Sequence, residues 1–275
     1  MFAQVWQPEA ETRGVVCLVH GLGEHSGRYA HVAAALTKAG YALQAFDLRG
    51  HGDSQGRRGH APTWEALLDD ISLCLAQAAS RFPDAPLFLY GHSLGGTLVL
   101  TYCMSREAQL TGVIATSPLL RPAFQPPAWK IALAQLMYSL WPTFSLNNEL
   151  DPSGICRDRA VVQAYVNDRR VHDRLSARLG LDMLRAGEWI LRHSEDLTVP
   201  VLLMYGSADR LCSPEAIRQF AEHVNHGCTC KCWDGLYHEI HNEPEKHEVL
   251  RTIIEWLEAH TVIQVKGQVL PAAHD

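Results

Sequence analysis

The chain has no surplus of positive charge. Its 24 lysines and arginines are outnumbered by 30 acidic residues, which leaves a formal net charge of −6. A phosphate backbone would find no basic stripe to follow, so no nucleic acid is expected as a partner. Arg57-Arg58 and Arg169-Arg170 are isolated pairs and read as solvated surface. Long apolar runs are also missing: none approaches the roughly 20 residues of a membrane-spanning helix. Met1 to Val5 do not form a basic segment leading into an apolar one, and so predict no secretory leader. The eight cysteines follow no framework spacing. They read as reduced thiols in a cytoplasmic protein. Cys228, Cys230 and Cys232 alternate along a predicted strand and share one face. A metal site would also need histidine or further cysteine from another element at ligand spacing, so they read as core thiols rather than a metal site. His238-Glu-Ile-His241 spaces its histidines three apart, not four, so it does not make the helical zinc motif.

What is present is ordinary globular material, 47% hydrophobic and 20% charged over 275 residues. That suffices for one large or two small domains with a sizeable core. Phe2–Trp6, Val15–Val19, Tyr41–Phe46, Leu87–Tyr90 and Gly112–Thr116 read as strands, several of them continuously apolar. Between them lie helical patterns at Tyr29–Ala39, at Thr63 to about Phe82, and from Gly96 onward. Alternation of this kind predicts an α/β fold with a mostly parallel, doubly wound sheet. It breaks after Pro118: residues 119–197 show helical stretches and no clear strand, and read as a helical cap inserted into the sheet topology. Residues 128–141 are apolar almost all round, with Lys130 their only charge. Such a helix is either fully buried or turns its apolar side to a ligand or a membrane. Strands resume at Val199–Tyr205 and Cys228–Trp233, and a last helix is striped by Leu250, Ile253, Ile254 and Leu257. The expected organisation is a core of residues 1–118 and 198–260, a cap of 119–197, and a mobile or surface-laid tail of 261–275.

One stretch carries the chemistry. The strand-like run from Leu87 to Tyr90 should meet Gly91, His92, Ser93, Leu94 and Gly95 and pass into a buried helix from Gly96. This G-x-S-x-G turn crowds the backbone, and Gly91 and Gly95 remove the side chains that would collide. It holds the Ser93 hydroxyl above the sheet beside the free N–H groups of a helix N-terminus. In an open parallel sheet, functional residues gather beyond the C-terminal strand ends, and the loops there also carry Asp209 and His238. A serine needs a base to take its proton, imidazole titrates near neutrality, and a carboxylate orients the ring. His241 is the alternative base; His223 and His226 lie at the wrong end of the last strand. The amides of Leu22, in the glycine-rich His20–Gly23 loop, and of Leu94 are candidate oxyanion donors. His20 and His92 flank the centre and read as braces for loops.

Taken together, these segments resemble the monoacylglycerol lipase and lysophospholipase branch of the α/β-hydrolases. The resemblance rests on His20-Gly-Leu-Gly-Glu-His-Ser-Gly-Arg-Tyr29, Asp47-Leu-Arg-Gly-His-Gly-Asp-Ser-Gln-Gly56, Gly91-His-Ser-Leu-Gly-Gly96, Gly206-Ser-Ala-Asp-Arg-Leu-Cys212 and Tyr237-His-Glu-Ile-His241. It implies Ser93, Asp209 and His238 as the triad and Leu22 and Leu94 as oxyanion donors. Glu24, Arg28, His92 and His241 are then expected near the polar alcohol part of the substrate. It also implies an apolar, lid-like cap and a chain that starts at the family's second strand, without the first edge strand. Asn167–His172 departs from the family by lacking Asp-Pro.

The function expected on these grounds is cofactor-independent and metal-free hydrolysis of lipid-type carboxylic esters, monoacylglycerols first. Short-chain carboxylesters and lysophospholipids are the alternative substrates, and a non-catalytic scaffold is the alternative of another class. The cap is the surface expected to touch membranes transiently.

Overall fold

The computed structural model describes residues 1–107 and 109–267. Strands β1 (Ala3–Trp6), β2 (Gly14–Val19), β3 (Tyr41–Phe46), β4 (Leu87–His92), β5 (Gly112–Thr116), β8 (Val201–Gly206) and β9 (Cys228–Trp233) form one sheet in the order β1-β3-β2-β4-β5-β8-β9. Only β1 is antiparallel, pairing Ala3 with Phe46 at the sheet edge; the other pairs run parallel. Parallel strands need crossovers, and helices α1 (Ala30–Lys38), α2 (Trp64–Arg81), α3 (Leu94–Ser105), α7 (Pro214–His223) and α8 (Lys246–Gly267) supply them or close the layers. Period two along β2 splits its side chains between the faces. Val15, Cys17 and Val19 join residues of α2, α3 and α7 in one core, and Val16 and Leu18 join α1 and α8 in the other. Burial on both faces is why these strands read as unbroken apolar runs. Thr63 caps α2 by accepting from the Ala66 amide, and Ser213 caps α7 with Pro214 at the first helical position.

The insertion between β5 and β8 contains α4 (Ala128–Leu140), β6 (Ser145–Asn147), α5 (Arg159–Asn167), β7 (Arg174–Ser176) and α6 (Ala177–Arg192). Two of its features correct the sequence reading. β6 and β7 pair antiparallel, Ser145 opposite Ser176, where no strand was expected. Three-residue strands are too short to show a period. Helix α4 has no fully buried residue, and Trp129 and Leu140 are 62% and 71% exposed, which rules out the buried-helix alternative. The backbone at His172 is tied to the core, its amide donating to Gly23 O at 2.9 Å. Two more corrections lie outside the cap. Cys230 and Cys232 are exposed and Cys228 only half-buried, because β9 is the edge strand and only Cys228 reaches the core on the α7 side. They are not core thiols. Helix α8 runs through residue 261 to Gly267, where the tail was expected to have begun; residues 268–275 lie outside the described part.

A close backbone approach lies at the β4–α3 turn. A Cβ on Gly95 would sit 2.0 Å from Val19 O and 2.7 Å from His20 O, both main-chain atoms that cannot swing away. Gly95→Ala is therefore expected to destabilise the protein by about 3 kcal/mol or more. A shift in the urea midpoint at unchanged slope checks this.

Candidate active site

Ser93 joins β4 to α3 with φ 54° and ψ −117°, a conformation that costs a non-glycine residue about 1–3 kcal/mol. The fold holds it there from both sides. The Ser93 amide donates to Thr116 O at the end of β5, and Ser93 O accepts from the amides of Thr97 and Leu119. A Cβ on Gly91 would meet Gly95 O at 2.2 Å, so both glycines of the motif are required by contact.

Asp209 lies in the turn after β8. Its Oδ1 accepts from the amides of Leu211 at 2.8 Å and Cys212 at 3.0 Å, and its Oδ2 meets His238 Nδ1 at 2.8 Å. Burial by itself would raise its pKa, but His238 and the two amides outweigh that and hold it below the usual carboxylate value. For His238, burial would lower the pKa, and the Asp209 charge overrides it to raise it well above the ordinary value. His238 O accepts from Ser117 Oγ at 2.8 Å, which anchors the loop after β9 to the end of β5. Asp209 meets His238 rather than His241.

The remaining sequence-predicted residues separate into two groups. Leu22 lines the same cavity as Ser93 and His238, and Leu94 is the first residue of α3, where an amide has no acceptor within the helix. The loop before Leu22 is braced by His20, whose Nε2 accepts from the Leu48 amide at 2.9 Å. Glu24, Arg28, His92 and His241 are not among the cavity-lining residues. Glu24, His92 and His241 are buried, and the Arg28 side chain nearly so. The His241 ring stacks on Tyr29 at 4.9 Å and meets the His92 ring at 4.8 Å, and both its nitrogens are buried without a hydrogen-bond partner. Burial, reinforced by His238, lowers His92 to about 4; burial and His92 push His241 well below its ordinary value. Both rings are therefore neutral near pH 7, and neither repels a proton on His238.

The cavity measures about 250 Å³ and is roofed by the cap. Ile131 and Ala134 of α4, Leu146 of β6, and Leu181 and Leu184 of α6 make an apolar wall, with Lys130, Asn147, Asn148 and Glu149 as its polar members. Sequence reading missed Ser117 and also Cys212, which lines the cavity next to His238. The ligand atoms of Asp209, Cys212 and His238 all lie within 4.8 Å of one another, the sole group with metal-like spacing among the described residues. Asp209 is already committed there to three hydrogen bonds.

A mostly parallel, doubly wound sheet with a cap inserted after its fifth strand and a serine at a strained strand–helix turn defines an α/β-hydrolase. The Hydrolase_4 family model, described as serine aminopeptidase, S33, matches residues 10–245. A monoacylglycerol lipase of Mycolicibacterium smegmatis is 33% identical over 93% of this chain and 92% of its own. An uncharacterized abhydrolase domain-containing protein of Dictyostelium discoideum is 38% identical over 92% of the chain, which spans 27% of that protein's length. Among solved structures, Paleococcus ferrophilus monoacylglycerol lipase superposes with a TM-score of 0.87 at 37% identity, covering 94% of this chain and 100% of that one. The chain belongs to the Hydrolase_4 family, within its monoacylglycerol lipase-like serine hydrolases, and is a hydrolase of the lipase and esterase branch.

Proposed function

We propose that the protein hydrolyses carboxylic esters of lipid type, with monoacylglycerols as its first substrates. The observation that carries this reading is the cavity, in which a mainly apolar cap wall closes over Ser93 and His238. Ser93 Oγ attacks the ester carbonyl while His238 Nε2 takes its proton, and the amides of Leu22 and Leu94 receive the charge on the carbonyl oxygen. His238 then protonates the leaving alcohol, and water, activated by the same imidazole, releases the acid from the acyl-enzyme. The acyl chain runs along Ile131, Ala134 and Leu181; each buried methylene contributes about 0.8 kcal/mol. The relatives named monoacylglycerol lipase support the same choice. Among the described residues no helix is long and apolar enough to cross a membrane. The outer face of α4, with Trp129 and Leu140, is the surface from which the enzyme would draw substrate out of a lipid aggregate.

The test is a chain-length series of p-nitrophenyl esters and monoacylglycerols. A maximum at medium or long monoacylglycerols is expected; a maximum at acetate or butyrate would instead make this a short-chain carboxylesterase. Ala134→Phe, which fills the wall, is expected to lower kcat/KM for long chains about 10-fold or more and to leave butyrate within about 2-fold.

A further inference from the structure

We infer that Arg28 is a positioning residue that ties the oxyanion loop, the base loop and the cap into one rigid unit. Its Nη1 lies 2.7 Å from Glu24 Oε2 and 2.6 Å from Glu239 Oε1, and its Nη2 lies 2.7 Å from Glu239 Oε2. All three side chains are buried or nearly so. What the two carboxylates hold is more telling than the ion pairs themselves. Glu24 turns its other oxygen to the Gly21 amide at 2.7 Å, one residue before Leu22. Glu239 directly follows His238, and its Oε2 also accepts from Asn242 Nδ2 at 2.8 Å. The guanidinium lies 4.7 Å from the ring centre of Tyr165 in α5, which adds a cap helix to the same cation.

A buried cation shared by two carboxylates is a weak device for stability, since its desolvation offsets much of the attraction. It is a strong device for geometry. The planar fork fixes Glu239 in two bonds and Glu24 in one, which a lysine cannot do. Leu22 N–H and His238 must meet the same tetrahedral intermediate from loops more than 200 residues apart, and an error of about 1 Å costs about 10²-fold in rate. This inference rests on the proposed ester hydrolysis. It gives Glu24 and Arg28 a role in holding the machinery rather than in touching the alcohol.

The test uses p-nitrophenyl butyrate, which has no glycerol to bind, beside a monoacylglycerol. Glu239→Gln is expected to lower kcat about 10- to 100-fold on both esters, with KM within about 3-fold. Combined with Glu24→Gln it should lose little more than the worse single variant, because both act through one guanidinium. The triple variant Arg28→Met, Glu24→Gln, Glu239→Gln leaves no unpaired buried charge, so it should keep a Tm close to the parent while remaining slow. Multiplicative single effects, full kcat in the triple variant, or a rise in KM confined to the monoacylglycerol would each overturn the inference. A parent enzyme that turns over no ester would instead overturn the proposed function.

Discussion

Replacing Ser93 by alanine is expected to lower kcat on every ester by about 10⁴-fold or more while leaving the fold intact. The two halves of this expectation have separate physical grounds. On the proposed mechanism activity falls because the hydroxyl oxygen is the atom that forms the acyl-enzyme; the Cys212 thiol lines the same cavity, but burial raises its pKa and keeps it protonated. The residual rate would come from the oxyanion donors and the cavity alone. Stability is kept because the Ser93 side chain makes no capping bond to α3, and the contacts that hold the turn are main-chain ones to Thr116, Thr97 and Leu119. Alanine bears the same penalty at φ 54° that serine does. Ser93→Gly should therefore be as inactive but more stable than Ser93→Ala by about 1 kcal/mol, since glycine adopts positive φ freely. Ester assays and urea melts on the pair check both statements. More than about 1% of the parent kcat in Ser93→Ala would mean that the reaction runs without this serine.

The parts of the molecule that could be read from the sequence are those in which cause is local. The strand from Leu87, the crowded turn at Ser93 and the buried start of α3 are specified by neighbouring residues, and so are the Thr63 and Ser213 caps. The unbroken apolar strands pointed to a sheet covered on both faces because burial on both sides is what permits such runs. Legibility ends where a residue's surroundings are set by distant chain. Cys230 looks like a core residue by period, but its exposure depends on what covers the last strand of the sheet. Helix α4 has a composition suited equally to a core and to a cavity roof. Arg28 and Glu239 are 211 residues apart, and no periodicity announces that their side chains meet. Ser117 escapes notice for the same reason: a serine after a strand is unremarkable until its hydroxyl is seen to hold His238 O.

Asp209→Asn is expected to cost about 10³- to 10⁴-fold in kcat, and the hydrogen bonds around Asp209 say why a change so small should matter. The amides of Leu211 and Cys212 both point at Oδ1. An asparagine must keep its carbonyl oxygen there, since its NH₂ group would oppose two donors. That turns the NH₂ toward His238 Nδ1, which becomes an acceptor. The ring proton then moves to Nε2, on the side that should take the proton of Ser93. The variant should fold, since every group around residue 209 retains a partner, yet its base carries the wrong tautomer. The pH profile separates this from simple disorder. In the parent, Asp209 holds the His238 pKa well above its ordinary value against the effect of burial. Because the base must be neutral, kcat/KM should rise with pH through that raised pKa. His92 and His241 contribute no step near neutrality, their pKa values being lowered by burial first. In Asp209→Asn the carboxylate charge is gone while burial remains, so the acid limb should move to lower pH even as the plateau falls. An acid limb left in place would assign it to a group other than His238, and a plateau within about 10-fold of the parent would show that the serine is activated without this carboxylate.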